Sequence, residues 1–189
     1  MDRALCCFID PAMIIIEPSS TVQAETPAKS TLTRFLNRAQ KAVGLTGQVD
    51  VLLTSDARIK TLNRNFRRKN KPTDVLSFPA PEEIFDEHAG DLAISLDTAA
   101  RQAAEFGHTL AAEVRILMLH GLLHLNGMDH EIDSGEMAAR EAELRKELRL
   151  TATLIERSNA KPLRAKHPRS RVSKAVTVKK SGAKTRRRP

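Results

Sequence analysis

With 189 residues, 41% hydrophobic and 29% charged, the chain is long enough for one domain with a proper core and cramped for two. Its net charge of +8 is a local property, because residues 157–189 hold thirteen Lys and Arg and no acidic residue, leaving 18 basic and 23 acidic residues, a net of −5, ahead of them. The only cysteines, Cys6 and Cys7, are adjacent and suit neither a disulfide framework nor a CxxC metal knuckle, and no apolar run reaches the roughly 18 residues of a membrane span.

A reducing, cytoplasmic setting and no membrane contact are therefore expected. The absence of Trp and Tyr, with six Phe scattered along the chain, argues against an RNA reader that stacks bases on an aromatic sheet face. Residues 1–12 fit no element and are set apart as an N-terminal extension; Asp10 and Pro11 interrupt the apolar run a signal peptide would need, and Met13 is an alternative start. Residues 13–155 are set apart as the one folded domain. Residues 156–189 read as a disordered basic tail, suited either to RNA phosphates or to solubilisation alone.

In chain order, Ile14–Ile16 is a short β-branched strand, and Ser30–Val43 places Leu32, Phe35, Leu36, Ala39 and Val43 on one helical face ahead of Gly44. Gln48–Ser55 reads as a strand and Asp56–Phe66 as a helix, so strand, helix and strand suggest a parallel crossover pair. A polar loop, RRKNKPTD, leads to strands at Val75–Pro79 and Gly90–Ser95, with an aperiodic loop between them. Asp97 is expected to cap a helix running to Phe106, and Thr109 to cap one running from Ala111 to about Asn126, with Glu113 near its positive end. That helix is apolar on nearly every side from Ile116 to Leu125, which marks it as central and buried. Asp133 and Glu136 form a capping-box-like start for a last helix to about Leu150. The fold class is α/β, a single domain with about five helices.

The stretch HGLLHLNGMDH, from His120, carries the chemistry. His120 and His124 lie one turn apart on one face of the central helix, and neutral imidazoles there can share a cation at about 2.0 Å from each nitrogen. Gly127 suits a left-handed helix end that turns the chain back, and His130 is placed to add a third nitrogen. Chance clustering of core histidines is the bland alternative, but each buried ring nitrogen would then need its own partner. Imidazole ligands favour one Zn ion, and three protein ligands leave a coordination position open for catalysis. The spacing H-x3-H-x2-G-x2-H matches the metal-binding helix of metzincin proteases, yet their general-base Glu is replaced by Gly121. Asp129, Glu131 and Asp91 are left as candidates for a carboxylate that supports the histidines or acts as a base.

These residues, together with LNRNFRRKNKPTDVLSFP from Leu62 and GDLAIS from Gly90, resemble the YbeY family of bacterial endoribonucleases and rRNA maturation factors over residues 14–150. The resemblance implies a small mixed, mostly parallel four-stranded sheet packed with helices, and a Zn site of His120, His124 and His130. It also implies a functional arginine at Arg67 rather than Arg68, and single-stranded RNA cleavage in maturation of the 16S rRNA 3′ end and in ribosome quality control. The implied partners are ribosomal RNA and the small ribosomal subunit. Met128 stands where the family usually has an aromatic residue, and Asn70 where it often has Asp; neither change removes a ligand. A peptidase or amidase with a metzincin-like site, and a ribosome assembly factor with a structural metal, are the rival readings.

Overall fold

The computed structural model describes residues 13–17 and 26–150, so the expected N-terminal extension and basic tail lie outside the described residues. Strands β1 (Ile14–Ile16), β2 (Gln48–Thr54), β3 (Val75–Pro79) and β4 (His88–Ser95) form one sheet in the order β1-β2-β4-β3. β1, β2 and β4 run parallel, whereas β3 runs antiparallel along the edge of β4. The helices are α1 (Lys29–Val43), α2 (Asp56–Arg67), α3 (Leu96–Phe106), α4 (Leu110–Leu125) and α5 (Glu136–Leu148). The α/β class, the mixed four-stranded sheet and the five helices all agree with the sequence reading.

Alternation along the strands assigns the helices to the two faces of the sheet. Val49, Val51 and Leu53 of β2, with Leu92 and Ile94 of β4, enter the main core with α1 and α4; Ala93 and Leu52 point the other way, into a smaller cluster with Ile59 of α2. α4 touches β3, β4, α1, α3 and α5, and every residue from Ile116 to Leu123 is buried. Its uniform apolar character is thus explained by its surroundings on all sides.

Local signals set the helix ends, sometimes one or two residues from where the sequence points. Gly44 ends α1 in the left-handed region, and Thr109 caps α4 by accepting from the Ala112 amide. α3 is capped by Ser95 rather than Asp97, because the Asp97 carboxylate instead accepts from the Asp56 amide at the start of α2. α5 begins at Glu136 after Gly135; Asp133 accepts from the Gly135 and Met137 amides, while Glu136 turns back to the Ser134 amide, shifting the expected box. β4 starts two residues before the expected Gly90, and the loop before it contains one 3-10 turn, Glu82–Ile84.

Gly90 holds β3, β4 and α4 together by having no side chain. Its φ of 141° lies where side chains are strained, and a Cβ there would stand 2.4 Å from the Phe78 carbonyl oxygen and 3.0 Å from Leu125 Cδ2. Gly90→Ala is accordingly expected to destabilise the protein by roughly 2–4 kcal/mol, from backbone strain plus overpacking. Equilibrium urea unfolding checks this; a stability equal to wild type would show that the β3–β4 contact is looser than described.

Candidate metal centre

Buried α4 supplies two of the three histidines, and the turn after it supplies the third. His120 and His124 stand one helical turn apart with their Nε2 atoms 3.2 Å from each other. Gly127, at φ 82°, reverses the chain while the Gly127 amide donates to the His124 carbonyl, and this turn brings the His130 ring to 5.2 Å from that of His120 and 5.3 Å from that of His124. One ligand nitrogen from each of the three lies within 4.8 Å of the others. His120 is buried, His124 half-buried and His130 exposed, so the triangle opens to solvent on one side.

The donor set fits a cation. Two nitrogens bound tetrahedrally at 2.0–2.1 Å stand about 3.4 Å apart, close to the observed His120–His124 spacing. His120 also has its other nitrogen engaged. Its Nδ1 lies 3.1 Å from Oε2 of Glu141, a fully buried carboxylate of α5 whose Oε1 accepts from Arg145 Nη1 at 3.3 Å. A carboxylate has no hydrogen to give, so Nδ1 is the donor, and in the neutral ring this tautomer leaves the Nε2 lone pair for the centre of the triangle.

Electrostatics favours the same state. Burial, reinforced by the neighbouring His120 and His130 rings, pushes the His124 imidazole down to about 4, against the opposing pull of Asp129 and of a backbone hydrogen bond at Met128. At neutral pH the ring is therefore uncharged, the form that binds metals.

The triangle lies in a cleft of about 990 Å³ whose wall also includes Arg67, Phe66, Phe78, Phe106, Asp129 and Glu131. Arg67 belongs to the last turn of α2, and Arg68 is spent on ending that helix at φ 57°, where its amide donates to the Asn63 carbonyl. Arg67 lies on the cleft wall. Of the candidate carboxylates, Asp129 and Glu131 line the cleft, with Asp129 Oδ1 accepting from the Glu131 amide, whereas Asp91 is on β4 beside His88 at 3.6 Å.

Gly121 faces the sheet. A Cβ built there would lie 2.7 Å from the Leu92 side chain and 3.3 Å from Ser77 Oγ, so a side chain at this position would press on Leu92 and meet Ser77, a residue of the cleft wall.

Sequence reasoning missed Glu141, although its signal was present: it sits among Met137, Leu144 and Leu148 on the buried face of α5, where a charge is unexpected unless it is partnered. It also assigned nothing to His108, which makes a close pair with the buried Glu113 of α4. His88 pairs with Asp91, and His167 lies outside the described residues.

The family profile described as Endoribonuclease YbeY matches residues 15–149, and the basic tail lies beyond that span. A protein of Koribacter versatilis named endoribonuclease YbeY is 57% identical over 131 residues, 69% of this chain and 84% of the relative. One of Solibacter usitatus with the same name is 49% identical over 144 residues, 75% of this chain and 95% of the relative. A Thermotoga maritima protein solved in solution has a TM-score of 0.48 at 30% identity, covering 78% of this chain and 93% of that one.

The depressed His124 sets the sign of an acid dependence. Between pH 6.5 and about 4 the unfolded chain takes up a proton on this ring that the folded chain refuses, so the stability of metal-free protein falls as pH falls through that window. His124→Asn is expected to make this slope shallower by up to one proton, as read by urea unfolding in the presence of a chelator. An unchanged slope would mean that His124 titrates normally in the fold.

Proposed function

The chain belongs to the YbeY family, and on that premise we propose that it is a zinc-dependent, single-strand-specific endoribonuclease acting on ribosomal RNA at the 16S 3′ end, in rRNA maturation and ribosome quality control. The observation that carries this reading is the placement of three convergent imidazoles and an arginine on the walls of one open cleft. His120, His124 and His130 would hold the ion, and the small ribosomal subunit would present the strand.

When bound, a zinc ion supplies Lewis acidity toward a phosphoryl oxygen or a water. The protein's own groups do the rest. Arg67 offers a planar fork of N–H donors that grips two phosphate oxygens and offsets the charge gained as the phosphorus becomes five-coordinate. Glu141 fixes the His120 ring and its tautomer, and Arg145 anchors Glu141 in turn. His124 stays neutral at physiological pH, so it needs no deprotonation to act as a ligand.

The peptidase or amidase reading lacks support at the position that matters most to it. Position 121 is Gly, so the chain carries no carboxylate there to serve as the base. Nothing in the described residues favours a purely structural metal either, because His130 and half-buried His124 leave the site open to solvent.

Arg67 provides the test. Arg67→Ala, purified with its zinc content measured, is expected to bind metal as wild type does and to cut a labelled single-stranded RNA matching a 16S 3′ end roughly 100- to 1000-fold more slowly. Arg67→Lys should recover only part of the loss, since a point charge lacks the fork. Cleavage at the wild-type rate by both variants would remove Arg67 from the mechanism.

A further inference from the structure

Three of the six phenylalanines, far apart in sequence, converge on the cleft: Phe66 from α2, Phe78 from β3 and Phe106 from α3. Phe66 is 67% exposed, among the most exposed large apolar side chains of the described residues. A single exposed phenylalanine asks for no explanation. This one adjoins Arg67 in sequence, and its ring meets that of Phe78 edge-on, with centroids 5.1 Å apart and planes at 67°. The contact braces the ring against Phe78, and most of the residue stays open to solvent.

The charge of the cleft restricts what can lie against that ring. Arg67 is accompanied on the wall by Asp74, Glu105, Asp129 and Glu131, so the cleft repels a long run of phosphates. An anionic strand can place a phosphate at Arg67, but its further affinity has to come from groups without charge. Nucleobases are such groups, and each carries a π-face that stacks on an aromatic ring whatever the base.

Building on the endoribonuclease reading, we propose that Phe66, braced by Phe78, is a stacking site for an unpaired nucleobase adjacent to the phosphate held by Arg67. The site selects single strands because a paired base has both faces covered within its helix. It is tolerant of sequence, because stacking reads no hydrogen-bonding edge. Purines, with the larger face, bind it more strongly than pyrimidines.

The absence of Trp and Tyr makes the proposal directly measurable, since Phe66→Trp introduces the chain's only tryptophan. Full-length Phe66→Trp, titrated with short single-stranded oligoadenylate, is expected to lose fluorescence as the base covers the indole, with a weaker response to oligouridylate and none to inorganic phosphate or duplex RNA. Phe66→Ala is expected to raise the KM for single-stranded RNA roughly 5- to 100-fold, the effect of one lost stack, with zinc content unchanged and only the small loss of thermal stability that the Phe78 contact accounts for. Phe66→Tyr should restore the KM, whereas Phe66→Leu, apolar but without a π-face, should not.

Quenching by single strands in a protein that fails to cut them would sustain the stacking site and sink the nuclease reading. Cleavage by Phe66→Ala with a wild-type KM, or cleavage by Phe66→Trp without quenching, would overturn the stacking site and leave the nuclease reading intact. Neither binding nor cleavage in any of these proteins would overturn both.

Discussion

A fully buried carboxylate is the constraint around which the site is organised. Glu141 has none of its surface in water, and an unpartnered charge in that position would cost several kcal/mol. It is retained between Arg145, one turn away on α5, and His120 on α4. Replacing such a group by a hydrocarbon is often neutral or favourable for stability, so its presence in the core is better explained by what it does to His120 than by what it adds to the fold. Because α5 must deliver Glu141 to a fixed ring nitrogen, its position against α4 is set by that contact as well as by packing.

The topology then determines what faces the triangle. β3 is the antiparallel edge strand, and α4 packs across both β3 and β4. α2 contributes Ile59 to the small core on the opposite face of the sheet, yet its C-terminal turn reaches the cleft, where the chain leaves Arg67 and returns along β3 through Phe78. Asn63, buried near the end of α2, donates to the Lys71 carbonyl and pins the connecting loop. A helix and a strand from outside the histidine motif are thereby brought against it. Gly121 belongs to the same arrangement, packed by α4 against Leu92, while Arg67 reaches the cleft wall from another element.

What could be read from the sequence follows from where each signal resides. His120, His124, Gly127 and His130 lie within eleven residues, so helical period and turn chemistry suffice to place them together. Arg67 was singled out only by likeness to a family, since an arginine in a basic loop has no distinguishing pattern. Phe66, Phe78 and Phe106 look scattered along the chain because their meeting is created by the sheet order β1-β2-β4-β3; likeness implied a mixed, mostly parallel sheet, but which strand runs antiparallel is seen only in the structure. The cap of α3 moved from Asp97 to Ser95 because Asp97 had a tertiary partner, the Asp56 amide, that no local rule could supply. Glu141 stood out in principle as a charge on an apolar stripe, but its partner lies 21 residues earlier in the chain.

The measurement that bears most directly on the account is a zinc titration of metal-stripped, full-length protein, following cleavage of a labelled single-stranded RNA at each addition. Activity should be absent at the start, rise in proportion to added zinc and level off at one equivalent per chain, with His124→Ala neither retaining zinc nor cutting. Full cleavage by the stripped protein, or by a zinc-free His124→Ala, would contradict the claim that the three histidines form the centre of a metal-dependent nuclease.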